Sequence, residues 1–186
     1  SQADPIYLDA LIRYTHFIKQ RNALLKIASE GIMIDRILMD AYDHNLLQSG
    51  KIIAEKRAGY LQRLLPIFQE YYTMLSPENE NANIEYDTKV LDPDFENTFK
   101  DSYSKDLILQ RTNKGVHKDD FKFVINSEPI KLYGSQGQQK TFVIALKLAQ
   151  YELLKECTGH IPILLMDDIF DKLDDVRIEK LILLVQ

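Results

Sequence analysis

Up to about residue 80 the apolar positions of the chain recur at helical spacing, and beyond it short alternating or continuous apolar runs are interleaved with helical stretches. Tyr7, Leu11, Tyr14, Ile18, Leu25 and Ala28 follow one another in steps of three, four or seven, which predicts a first helix. Asp4 suits its N-cap, Pro5 its first helical position and Gly31 its C-terminal stop. A second periodic stretch runs from about Ile34 to Leu75 through Leu38, Ala41, Ile52, Leu64, Ile67 and Tyr71. Unbroken, it would extend roughly 60 Å at about 1.5 Å per residue. Gly50, Gly59 and Pro66 predict bends, and Pro66 should kink the helix or mark a new start. The Tyr14/Ile18/Leu25 and Leu64/Ile67/Tyr71 stripes read as packing between helices.

The polar turn at residues 76–81 is the best boundary, which divides the chain into a helical arm, 1–79, and an α/β part, 80–186. In the second part Ile84–Val90 alternates as a half-buried strand does, and Phe121–Ile125 repeats that pattern. Phe95–Gln110 reads as a helix, Gln136–Cys157 as a strongly amphipathic one ending before Gly159, and about Val176–Val185 as a last helix. The continuous apolar run Ile161-Pro162-Ile163-Leu164-Leu165-Met166 suits a central parallel strand covered on both faces. The expected fold class is therefore mixed α/β, with a helical lobe.

Composition narrows the function. With 45% hydrophobic residues in 186, the chain can close a core, so disorder does not describe it. No apolar run reaches the roughly 20 residues of a membrane helix, so no membrane role is expected. The net charge of −5 argues against a strong, nonspecific nucleic-acid binder acting alone. Cys157 is the single cysteine, which excludes a disulfide scaffold and agrees with a reducing cytoplasm. His16, His44 and His160 have no ligand-like spacing with Cys157, so no zinc site is expected.

Two segments carry chemistry. The apolar run delivers Asp167 and Asp168 to its C-terminal end, as a Walker B strand delivers an acid to magnesium at the sheet edge. A second carboxylate there can orient or deprotonate water. A core strand ending in a capped turn explains the same residues. The other segment, Gly134-Ser135-Gln136-Gly137-Gln138-Gln139-Lys140-Thr141, opens a helix, where exposed N–H groups and the macrodipole favour an anion. Ser135 and Gln138 could add side-chain hydrogen bonds to phosphate oxygens, and Gly137 permits close approach. An ordinary polar loop with Ser135 as N-cap is the alternative.

The order Ser-x-Gly-Gln loop, amphipathic helix, buried strand and paired acids, with Asp167 32 residues after Ser135, is that of the C-terminal half of ABC-type ATPase heads. The sequence resembles the RecF family, SMC-like DNA-repair ATPases of bacteria. Ser135–Thr141 is similar to that family's signature loop, and Ala145–Ala149 and Pro162–Asp168 continue the match. Gly115-Val116-His117-Lys118-Asp119-Asp120 resembles its Gly-Pro-His-basic-x-Asp element, with Val116 in place of proline. Asp4-Pro5-x-Tyr7-Leu8 and Gln20-Arg21-Asn22-x-Leu24-Leu25-Lys26 resemble its helical region. Against the wider Leu-Ser-Gly-Gly-Gln pattern, Gly134 replaces leucine and Gln136 the first glycine. Asp168 stands where many ABC ATPases have glutamate, one methylene longer. No Gly-x-x-x-x-Gly-Lys-Ser/Thr occurs in these residues, so they contain no Walker A cradle.

The resemblance implies part of an ABC/SMC-type ATPase head with a helical lobe, inactive alone and a slow ATPase in the complete dimer. It implies ATP and Mg²⁺ as cofactors, with Asp167 holding Mg²⁺ through water and Asp168 positioning the attacking water. Ser135, Gln136, Gly137, Gln138 and Lys140 would bind nucleotide in trans, and Asp174 would fasten the D-loop. It further implies an ATP-dependent homodimer in the cytoplasm, engaging DNA at single-strand gaps and junctions with RecO and RecR, in recombinational repair and the SOS response. Another SMC-like head, or a non-enzymatic helical interaction module, would share these features. His117 could approach nucleotide or DNA, or be a structural hydrogen-bonder. Arg13, Lys19, Arg21 and Lys26 could form a basic face toward DNA phosphates, or a solvated one.

Overall fold

The computed structural model of the protein describes residues 4–76, 80–165 and 175–184. Helix α1 spans Pro5–Ser29, and the Asp4 carboxylate caps it by accepting the Tyr7 N–H at 3.0 Å. Its C-terminal end closes at Gly31, which takes the left-handed φ of +82° and donates to the Ala28 carbonyl. Helix α2 spans Arg36–Leu75 as one continuous helix of 40 residues with Pro66 inside it. The new start expected at Pro66 does not occur. Leu64 and Phe68 on either side are almost fully buried, and that packing holds the helix through the missing N–H.

Strand β1 (Ala82–Asp87) is followed by α3 (Phe95–Asp101) and α4 (Tyr103–Leu109). The apolar spacing predicts a single helix here, and the structure holds two. They part at Ser102, whose hydroxyl donates to the Phe99 carbonyl at 2.6 Å, a local bond of the kind that competes with the helical ladder. A short 3₁₀ turn, Val116–Lys118, leads into β2 (Asp120–Ile125) and β3 (Glu128–Pro129), which pair antiparallel with Val124 opposite Pro129 and Ile125 opposite Glu128. Their turn, Asn126-Ser127, has both φ angles positive, as a two-residue hairpin requires. Strand β1 completes the sheet in the order β1-β2-β3. Tyr86 stacks on Phe121 at one end of the β1–β2 pair, and Asn126 donates to the Asn81 carbonyl at the other, so these strands also run antiparallel. Helices α5 (Ile130–Tyr133), α6 (Gln136–Thr158) and α7 (Asp175–Leu184) follow.

The chain forms two compact units: residues 1–58 with 87–120, and residues 59–86 with 121–186. The boundary expected near residue 80 falls inside the second unit. There Leu64, Phe68 and Tyr72 of α2 share a core with Ala82 and Ile84 of β1, and Phe142, Ala145 and Leu148 of α6 complete it. The core of the first unit joins Ala10 and Tyr14 of α1 to Leu46, Ile53 and Ala54 of α2, and to Phe95 and Phe99.

The parallel strand expected at Ile161–Met166 is not formed over its described residues. Residues 161–165 have no regular structure, and Ile161, Ile163 and Leu165 are about four-fifths exposed (78%, 87% and 86%). A parallel strand satisfies its backbone groups only on neighbouring strands, and the described residues place none beside this run.

Candidate functional site

In the second unit the N-terminus of α6 carries the loop singled out in the sequence. Ser135 is its N-cap, in extended conformation, and its hydroxyl accepts the Gln138 N–H at 3.2 Å. The Gln138 side-chain oxygen in turn accepts the Ser135 N–H at 2.7 Å, closing a capping box. Gln139 Nε2 donates back to the Gly134 carbonyl at 2.9 Å, and Thr141 Oγ1 donates to the Gly137 carbonyl at 2.8 Å. Gly134 has no room for a side chain, since a β-carbon there would lie 2.6 Å from the Ile130 carbonyl oxygen. The Gln138 amide nitrogen also donates to the Glu80 carboxylate.

The structure therefore realises the capping reading of Ser135, and it leaves the loop open for more. Ser135 and Gln136 are exposed, Gly137, Gln138 and Lys140 are half-buried, and the first-turn N–H groups of Gln136 and Gly137 have no acceptor within the helix. Such an end attracts an anion. Asp167, Asp168 and Asp174 lie outside the described residues. Among the described residues no group of three or more His, Cys, Asp or Glu could hold a metal ion, and no helix is long and apolar enough to cross a membrane.

The first unit holds the residues that the sequence left ambiguous. His117 is a structural hydrogen-bonder. Its Nε2 lies 3.0 Å from the Thr112 carbonyl, which can only accept, so Nε2 carries the proton and Nδ1 accepts from the Tyr14 hydroxyl at 2.7 Å. Gly115 makes this contact possible: at φ +127°, a β-carbon would fall 2.2 Å from the Tyr14 oxygen. Withdrawal of the ring from water pushes the His117 pKa down, and Lys118 adds to this, while the Thr112 bond, Asp106 and Asp119 oppose it. A histidine depressed in the fold adds stability above its unfolded pKa that is lost as pH falls. Acidification below about pH 6.5 should therefore loosen the first unit, read as faster hydrogen exchange in α1. His117→Gln should remove that acid-side change.

Arg21 corrects the expected basic face. Its side chain is fully buried, with Nε 2.5 Å from Asp43, Nη1 2.6 Å from Asp106 and 2.9 Å from Thr112, and its guanidinium over the Phe99 ring at 4.9 Å. Asp106 accepts in addition from the backbone and side-chain N–H groups of Asn113. One sequence signal could have revealed this: Arg21 falls on the Tyr14/Ile18/Leu25 stripe, and a charge buried on such a face needs a partner. Arg13 pairs instead with Asp9 on the surface. A 680 Å³ cavity of this unit is lined by Lys89, Lys114 and Lys118 but also by four aspartates, among them Asp92 and Asp94, so its acids outnumber its bases and its charge does not favour an anion.

This arrangement of helical lobe, small antiparallel sheet and capped helix is that of part of an ABC/SMC-type ATPase head. Over 99% of its length the chain matches a solved structure of the recombination mediator protein RecF with ATP, at 30% identity and a TM-score of 0.84, covering 51% of that chain. A structure of RecF with ATPrS matches over 94%, at 32% identity and a TM-score of 0.82. The DNA replication and repair protein RecF of Cytophaga hutchinsonii is 82% identical over all 186 residues, and that of Flavobacterium johnsoniae 44% identical over 185. No family model matches. The chain belongs to the RecF family, and it spans about half the length of the curated relatives it matches, 49% and 52%.

Proposed function

We propose that the chain is the part of a RecF-type DNA replication and repair ATPase that carries the signature and Walker B elements. The observation that carries this reading is the 82% identity to a RecF over the whole chain, joined to a helix N-terminus whose first N–H groups have no acceptor within the helix. In the complete protein the N–H groups of Gln136 and Gly137 donate to phosphate oxygens of nucleotide held by a second copy. Ser135, Gln138 and Lys140 shape and charge that contact. Asp167 holds Mg²⁺ through water, since a hard cation takes oxygen donors, and Asp168 positions the attacking water. Bound Mg²⁺ supplies charge neutralisation at the phosphates. Asp174 fastens the D-loop across the dimer.

Because each nucleotide touches both copies, ATP favours the closed homodimer. That dimer is cytoplasmic, engages DNA at single-strand gaps and junctions, and works with RecO and RecR in recombinational repair and the SOS response. Sedimentation of the complete protein tests the reading. It should be monomeric without nucleotide and dimeric with saturating ATP and Mg²⁺, and persistence of the monomer under both conditions would defeat it.

A further inference from the structure

The Glu80 carboxylate joins the signature loop to two other elements of the second unit. One oxygen accepts from the Gln138 amide nitrogen, and the other accepts from the Tyr72 hydroxyl at 2.5 Å and the Ser76 hydroxyl at 3.1 Å, both at the end of α2. Tyr72 and Ser76 are buried. From α7, Lys180 donates to the Ser76 carbonyl at 3.0 Å. The helix that follows Asp167, Asp168 and Asp174 in the chain is thus tied to the same turn as the loop at Ser135.

The Gln138 amide has one oxygen and one NH₂ group, and each is committed. The oxygen must face the Ser135 N–H and the nitrogen must face a full acceptor. Glu80 is that acceptor, and a charged one, so it selects the amide orientation that completes the capping box. A cation in its place would attract the amide oxygen and turn NH₂ toward Ser135 N–H, donor against donor.

We propose that Glu80 is a positioning residue: it holds Gln138, and through it the signature loop, in the geometry that meets nucleotide on a second copy. This rests on the ATP-dependent dimer proposed above. Glu80 touches no reacting atom; it acts through Gln138 and ties the loop to the α2 terminus and α7.

The test uses the complete protein with Glu80→Ala, Glu80→Gln, Gln138→Ala and the Glu80→Ala/Gln138→Ala double variant. Nucleotide uptake by the single subunit is followed with a fluorescent ATP analogue, and dimerisation by sedimentation. The loss in Glu80→Ala is expected in dimerisation, weakened about tenfold, and not in single-subunit uptake. Glu80→Gln keeps an acceptor and should lose only about threefold, which carries the test if the alanine variant fails to fold. The double variant should dimerise no more weakly than Gln138→Ala, because the two residues act as one unit. Unchanged dimerisation in both Glu80 variants, or losses that add in full, would overturn the role of Glu80 alone. Failure of the unsubstituted protein to dimerise would overturn the dimer reading as well.

Discussion

Replacing Arg21 by alanine is expected to destabilise the first unit by about 3–5 kcal/mol, the largest effect of any single change to its polar core. The reason is what remains behind. Asp106 is fully buried, and without the guanidinium its desolvated negative charge keeps the backbone and side-chain N–H groups of Asn113, while the Ser102 hydroxyl, 3.5 Å away, has its one proton on the Phe99 carbonyl. Thr112 loses its donor from Arg21, although Asn22 still receives the Thr112 hydroxyl and N–H at 2.8 Å. Lysine should rescue little, since one ammonium cannot reach Asp43, Asp106 and Thr112 in the fork that the guanidinium makes. Removing both charges, as in Arg21→Met/Asp106→Leu, should cost less than Arg21→Ala alone. Hydrogen exchange of α1 and α4 amides in the complete protein measures this locally. A loss below about 1 kcal/mol for Arg21→Ala would mean that the pair is not what holds these helices together.

In the complete protein, Asp168→Asn is expected to lower DNA-stimulated ATP turnover about a hundredfold or more while sparing ATP-dependent dimerisation. Asparagine preserves the size of the side chain and removes the negative charge proposed to orient water and receive its proton. Asp167, proposed above to hold Mg²⁺, should behave differently: Asp167→Asn should weaken both steps, because nucleotide would be held less well before any chemistry begins. Steady-state turnover and sedimentation of the same preparations separate the two. Turnover in Asp168→Asn equal to that of the unsubstituted protein would reject the role assigned to this carboxylate. On the function proposed, its side chain, shorter than the glutamate common in ABC ATPases, is expected to give a slow basal rate.

Features set by residues within a few positions of one another are legible in the amino-acid order. Asp4 followed by Pro5 marks the start of α1, Ser135 with Gln138 three residues on closes a capping box, and Gly159 with its left-handed φ ends α6. Each depends on the chain's own backbone within one helical turn, so the order of residues suffices. The break at Ser102 is not legible in the same way, because its local hydrogen bond and the apolar spacing of Phe95–Gln110 point in opposite directions. The family is legible too, through several short motifs in their expected order.

Tertiary structure alone decided the partners. Arg21 meets Asp106 and Thr112 across 85 and 91 residues, Tyr14 meets His117 across 103, and Gln138 meets Glu80 across 58. Periodicity says that a face will be covered but not by what, which is why Arg21 reads as surface and the interleaved units read as a simple division near residue 80. The run at residues 161–165 shows the same limit from the other side. Its apolar residues specify a strand that wants neighbours on both edges, and strand structure exists only where another strand supplies the hydrogen bonds.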